Sequence, residues 1–202
     1  MAPSVTFRPP PGIIECMPET RSDDVIMQKV RDGDLAKMAV LFERHHRALY
    51  RYFLRLTGQR EFSEDLVQDV FFRMLKYRGT YRDGSPFTSW MYQIARRTHV
   101  DCAQKRKVET PFNEQVYEPA SAEPDPSEMV RRRQDLGLLR RALAALPVEK
   151  RELLVLSRFQ NLKYDQIADI LACDVGTVKV RVYRAVKALG EIFFEMAGER
   201  AS

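Results

Sequence analysis

The chain has 202 residues, 45% hydrophobic and 30% charged, with a formal net charge of +5. That apolar share suffices for a packed core and excludes a wholly disordered chain. Cys16, Cys102 and Cys173 are too few and too far apart for a disulfide scaffold or a CxxC metal pair. No apolar run reaches the ~18 residues of a membrane-spanning helix, and the opening MAPSVTFRPPPG lacks a signal peptide's apolar core. The expected compartment is therefore the cytoplasm, with no membrane insertion.

The charge is unevenly placed. Residues 1–108 hold 19 basic and 13 acidic residues, net +6. Residues 109–130 hold no basic and 6 acidic residues, with Pro111, Pro119, Pro124 and Pro126 among them. Residues 131–202 hold 14 basic and 9 acidic residues, net +5. An acidic, proline-rich stretch between two basic blocks reads as a linker. Residues 1–22 carry Pro3, Pro9, Pro10, Pro11 and Pro18 and read as a flexible tail. The organisation is thus a tail (1–22), a first domain (23–108), a linker (109–130) and a second domain (131–202). Paired basic domains suit a polyanion, nucleic acid above all; solvated surface charge is the competing reading.

The periodicity is helical throughout, and no segment alternates like a strand. Leu35, Met38, Phe42, Leu49, Phe53 and Leu56 mark one helix bracketed by Gly33 and Gly58. Ser63 is placed to cap the next, with Glu64 and Asp65 in its first turn and Leu66, Val67, Val70, Phe71 and Met74 facing inward. After a glycine-containing loop, Ser85 would cap a further helix with Pro86 at its first position. Phe87, Trp90, Met91, Ile94 and Ala95 give that helix its core face, which makes Trp90 a packing residue first. In the second domain Leu136, Leu139, Leu143 and Leu146 line one helix, and Pro147 opens another carrying Leu153, Leu154, Leu156 and Phe159. Two short helices follow, near 165–171 and 175–190, joined by Ala172-Cys173-Asp174. The fold class is all-α, two small helical domains joined by an acidic linker.

The last helix pair has helix-turn-helix spacing. Ile167 and Leu171 would pack on Val178 and Val182, small Ala168 permits a close crossing, and Asp174 can cap the second helix. A buried stripe at 178, 182, 185 and 189 leaves Thr177, Lys179, Val180, Arg181 and Arg184 on the outer side. Three cations on a free helix face suit a DNA major groove; a plain helical hairpin with a basic solvent face has the same spacing.

The segment YDQIADILACDVGTVKVRVYRAVKAL resembles the second DNA-binding domain of bacterial sigma factors, specifically the extracytoplasmic function (ECF) group. ALPVEKRELLVL before it is similar to that domain's opening helices. Independently, DLAKMAVLFERHHRALYRYFLRLTG, SEDLVQDVFFRMLK and FTSWMYQIARRTHVDCAQKR resemble, in order, the family's promoter-opening domain. The resemblance implies a sigma factor that binds core RNA polymerase and directs promoter recognition, opening and initiation. It implies core binding through Asp65, Gln68, Asp69 and Phe72. It implies minus-ten binding through Tyr81, Arg82, Asp83 and Ser85 of a base-receiving loop, with Arg96, Arg97, Lys105 and Arg106 on phosphates. It assigns the minus-thirty-five element to Thr177, Lys179, Val180, Arg181 and Arg184, and it admits an anti-sigma factor as a further partner.

Arg97 stands where the family often has Asn, Val180 where it has Ser, and Ala172 where it has the turn glycine. Ala172 in a left-handed conformation would cost on the order of 1 kcal/mol. No GxxxxGK[ST], HExxH or GxSxG motif occurs, and adjacent His45 and His46 diverge by about 100° on a helix, so neither an enzyme nor a cofactor is expected. A stand-alone helix-turn-helix regulator would account for 164–188 but not for the first domain or the linker.

Overall fold

The computed structural model describes the backbone of residues 22–107 and 126–198 and the side chains of 22–105 and 135–198. All regular elements among them are helical. Most of the acidic linker and the tail lie outside the described residues.

The first helix, α1 (Asp23–Arg31), is one the apolar periodicity alone does not single out. Ser22, the last residue of the expected tail, accepts the Val25 N–H at 3.4 Å and so caps it. Asp23 and Asp24 sit at its positive end and Lys29 and Arg31 at its negative end. Ile26, Met27 and Val30 bury its inner face. Helix α2 (Lys37–Thr57) ends where Gly58 turns left-handed at φ 70°, the conformation glycine adopts at low cost. Leu35 lies before α2 and is exposed rather than in the core; Met38, Leu41, Leu49, Tyr52, Phe53 and Leu56 form the buried stripe.

Helix α3 (Arg60–Lys76) starts before Ser63, not after it. Ser63 is fully buried, its hydroxyl bonded to the Gln59 carbonyl at 2.5 Å and close to the Thr57 hydroxyl at 3.0 Å. The hydroxyl that suits a cap here anchors the α2–α3 corner instead. A 3-10 turn (Arg78–Thr80) leads to the loop 81–86 and to α4 (Phe87–Lys107). Trp90 is buried as expected, edge-on to Tyr81 with ring centroids 5.3 Å apart.

The second domain opens with α5 (Pro126–Ala145), which begins inside the stretch read as linker. Its inner face is Leu138, Ala142 and Leu143, Leu146 is buried just past its end, and Leu136 is exposed. Helix α6 (Val148–Leu154) runs into a π-helical turn (Val155–Phe159) and stops near Asn161 at φ 52°. Helices α7 (Tyr164–Leu171) and α8 (Val175–Gly198) form the hairpin.

The two domains pack together. Leu153, Val155, Leu156 and Ile167 share one apolar core with Tyr52, Phe53 and Met91. At the seam the Tyr52 hydroxyl donates to Glu152 Oε1 at 2.8 Å, and Arg96 Nε donates to Glu152 Oε2 at 3.1 Å. Burial, with the Glu152 charge beside it, pushes the Tyr52 phenol well up. Buried Arg151 donates to the carbonyls of Leu56, Ala144 and Leu146, spreading its charge over backbone dipoles. Gln160 bridges the domains too, accepting from the Tyr92 hydroxyl and donating to the Ala48 carbonyl.

Candidate nucleic-acid interface

Loop 81–86 is held from below. Tyr81 is 2% exposed, and its hydroxyl lies 2.7 Å from the Ser85 carbonyl and 3.0 Å from Asp24 Oδ1. Burial, with Asp24 next, pushes this phenol up. Tyr81 therefore supports the loop rather than facing a ligand. The first N–H of α4, on Phe87, donates to Asp24 Oδ1 at 2.6 Å, so a carboxylate of α1 occupies the capping role read for Ser85. Asp83 is exposed and paired with Arg31 at 2.8 Å; Arg82 is exposed; Gly84 turns the loop at φ 78°.

The loop, the end of α3 and one face of α4 enclose a cleft of about 610 Å³. Arg73, Tyr77, Arg82, Ser85, Trp90 and Arg97 are among its walls. Ser89 also lines it; its hydroxyl is buried and has no hydrogen-bond partner among the described residues. Arginines and the exposed Tyr77 ring offer what a single unstacked nucleotide needs: charge for phosphate, a face for stacking and guanidinium donors for the base edge. Asp169 of α7 stands at the rim, where its carbonyl accepts from Gln93 Nε2 at 2.9 Å. Arg96 is turned toward Glu152 at the domain seam, and Lys105 is exposed further along α4. The Arg106 side chain lies outside the described residues.

On α3, Asp65 and Gln68 are exposed and Phe72 is 65% exposed, which leaves an apolar ring beside an acid and an amide. Asp69 faces α4 instead. Its Oδ2 accepts from Arg73 Nε at 3.1 Å, and Arg73 Nη1 reaches Asp101 at 2.5 Å. Those two carboxylates raise the Arg73 guanidinium.

In the hairpin, Val178, Val182 and Ala185 are buried and Leu189 is half-buried, so the expected stripe is present. Lys179, Val180, Arg181 and Arg184 are exposed on the outer side, together with Tyr183. Thr177 is committed to the turn. Its N–H donates to Asp174 Oδ1 at 2.7 Å and its hydroxyl to Oδ2 at 2.5 Å, which lowers the Asp174 carboxyl. Ala172 is left-handed at φ 51°, ψ 49°, as the replaced turn glycine requires.

Residues 41–108 match the family model of Sigma-70 region 2, and residues 136–189 match that of Sigma-70 region 4. The ECF RNA polymerase sigma factor SigL of Mycobacterium tuberculosis is 33% identical over 161 residues, 78% of this chain and 89% of the relative. The chain belongs to the ECF group of the sigma-70 family. Sigma factor CarQ of Myxococcus xanthus is 29% identical over 87% of this chain and 99% of its own length. Among solved structures, the Bartonella quintana sigma factor RpoE, in complex with the anti-sigma factor NepR, matches 76% of this chain and 94% of its own at TM-score 0.59 and 26% identity. CnrH, in complex with the cytosolic domain of CnrY, shares the fold at TM-score 0.65 over 86% of this chain and 97% of its own, with 19% identity. Sigma-70 factors are DNA-binding initiation factors of RNA polymerase, and promoter recognition is the function of this chain. The region 2 match covers the cleft and the exposed face of α3; the region 4 match covers the hairpin.

Sequence reasoning missed Asp24, Arg31, Gln93, Glu152 and Asp169. Each acts on a partner more than fifty residues away, so no local spacing could reveal it. Ser89 hides as an ordinary polar residue in an amphipathic helix.

Proposed function

We propose that residues 23–108 form the core-binding and minus-ten module and that the second domain, from α5 onward, forms the minus-thirty-five module. The cleft carries this reading: walls of Arg73, Arg82 and Arg97 beside the exposed Tyr77 ring suit one flipped base of the non-template strand. Unstacking a base costs a few kcal/mol, and stacking on exposed Tyr77 with hydrogen bonds to Arg97 offsets it. Arg82, Arg96, Lys105 and Arg106 hold the flanking phosphates once the domains part. Two helical turns of DNA, about 70 Å, separate two elements read in this way. The residues between α4 and α5, 108–125, reach at most ~65 Å when extended, so the widths of the two domains supply the rest of that distance. Arg96 leaves Glu152 on opening.

Asp65, Gln68 and Phe72 form the core-polymerase surface, an apolar residue beside acid and amide suited to arginine-rich helices. Asp69 supports that surface through Arg73. Lys179, Val180, Arg181 and Arg184 face the minus-thirty-five major groove, and Thr177 with Asp174 fixes the helix that carries them. The polymerase supplies the chemistry, so the chain acts in the cytoplasm and is not itself an enzyme. An anti-sigma factor, the partner in the Bartonella quintana complex, is a fitting regulator of a domain pair that engages Arg96 at its own seam.

The test is reconstitution with core polymerase. Wild-type protein should start transcription at defined promoters only in its presence. Asp65→Lys should weaken core binding at least tenfold, since opposed like charges cost several kcal/mol, while an exposed position contributes little to folding. Wild-type affinity for the variant would move core binding off this face. Tight, specific duplex binding without polymerase would favour a stand-alone regulator.

A further inference from the structure

We propose that α1, which contributes no wall to the cleft, sets the shape of the base-receiving loop, with Asp24 and Arg31 as positioning residues for base selection at the minus-ten element. The proposal rests on the reading of the cleft as the site of the flipped base.

The two side chains stand seven residues apart, two turns of one helix face about 10 Å in length. They meet the loop along its whole course. Asp24 Oδ1 takes the Phe87 N–H at 2.6 Å, where the loop ends, and the hydroxyl of Tyr81, where it begins, at 3.0 Å. That hydroxyl also contacts the Ser85 carbonyl, so one carboxylate ties both ends of the loop together. Arg31 Nη1 holds the tip through Asp83 at 2.8 Å and touches the Tyr81 carbonyl at 3.4 Å. Asp83 and Asp32 raise the Arg31 guanidinium, as a fixed cation between two carboxylates requires.

The helix that holds the loop is itself fixed from the far side. Asp23, one residue earlier and about 100° around the helix, accepts from Arg44 Nη1 at 2.7 Å and contacts His45 Nε2 at 2.8 Å on α2. Ile26, Met27 and Val30 anchor the remaining face in the core. Arg82, Gly84, Ser85 and Pro86 of the loop line the cleft, whereas Asp24 and Arg31 do not. The two α1 residues therefore act on the base through the loop. A carboxylate bonded to the first N–H of α4 is a charge-assisted contact at a positive helix end, and it fixes where α4 starts. The start of α4 in turn fixes Ser89 and Trp90, one helical turn into the cleft wall.

The experiment is transcription by holoenzyme from promoter libraries randomised at both elements, with core affinity and melting temperature measured for each variant. Asp24→Ala should flatten base preference at one minus-ten position by about tenfold or more, because a displaced binding group loses its directional contacts. Preference at the minus-thirty-five element and core affinity should hold. Asp24→Asn, which keeps an acceptor oxygen, should recover part of the preference. Arg31→Ala, at a partly exposed site, should give a smaller change at that same position, and Arg31→Lys less still. Asp23→Ala, which loosens the far side of α1, should lower the melting temperature and change that preference less than Asp24→Ala does. If Asp24→Ala and Arg31→Ala lower activity equally on every library member, α1 is merely structural and the proposal fails. Arg97→Asn, in the cleft wall, separates the two ideas. If it shifts minus-ten preference while the α1 variants do not, the cleft reading stands and the positioning role falls. If Arg97→Asn leaves every minus-ten preference unchanged, the cleft reading falls and the proposal with it.

Discussion

The cleft of the first domain and the recognition helix of the second are built in opposite ways. The cleft takes its walls from α3, loop 81–86 and α4, and its loop is tied down by α1, more than fifty residues earlier. The outer face of α8 is set by a turn that closes within three residues, Asp174 to Thr177, and by an apolar stripe on the same helix. A locally specified helix presents its side chains wherever its inner face packs. A loop has no such periodic constraint, so its shape must come from distant groups. Substitutions far from α8 should thus leave its reading intact, whereas the cleft should respond to changes on three helices.

Cutting the seam where these regions meet has the largest expected effect. Glu152 is buried and bonded to both Tyr52 and Arg96. Glu152→Ala strands the buried Tyr52 hydroxyl, while the partly exposed Arg96 turns to water, and it should cost roughly 1–3 kcal/mol of stability in urea denaturation. Tyr52→Phe should cost about 1 kcal/mol, and the double variant should lose less than the sum because the two share one contact. Strict additivity would mean that the seam does not act as one network.

Next come the outer residues of α8. Arg181→Ala should remove about 1–3 kcal/mol of discrimination at one minus-thirty-five position in a randomised library. Lys179→Ala should weaken binding to all members alike and lower the salt slope by about 1. Uniform loss in the arginine variant would make Arg181 a phosphate contact and remove base reading from that position.

The smallest effect probes the local turn. Ala172 holds a left-handed conformation at φ 51°. Ala172→Gly should therefore raise stability by up to about 1 kcal/mol, offset in part by the looser unfolded chain, with base preference unchanged. A change in preference would show that the turn tunes the reading face and is not only a hinge of the hairpin.

Much of the second domain was legible because its signals are short in range. The 3–4 spacing of Val178, Val182, Ala185 and Leu189 places α8, and Asp174 announces its start. The same logic failed at Ser63 and Ser85. Both are good capping residues by type, yet Ser63 is buried against Thr57 and the α4 role belongs to Asp24. A side-chain oxygen can cap a helix from anywhere in the fold, and sequence shows only the nearby candidates. Tyr81, which the family resemblance sets in the base-receiving loop, has its ring in the core and its hydroxyl on the loop itself. Leu35 and Leu136 continue an apolar pattern beyond the packed part of their helices, so periodicity counted them as core although each is about half exposed.

By itself the sequence determined the helical class, the two basic blocks and the residues on the outer face of the recognition helix, because periodicity and charge are properties of neighbours along the chain. Tertiary structure alone decided that α1 holds the loop, that Ser89 is left with an unused hydroxyl in the cleft wall and that Glu152 draws Arg96 to the domain seam. Each of these depends on which polar atoms meet, or fail to meet, a partner across a long loop of chain. Such a meeting leaves no repeat in the sequence, and only the packed core that brings the helices together makes it possible.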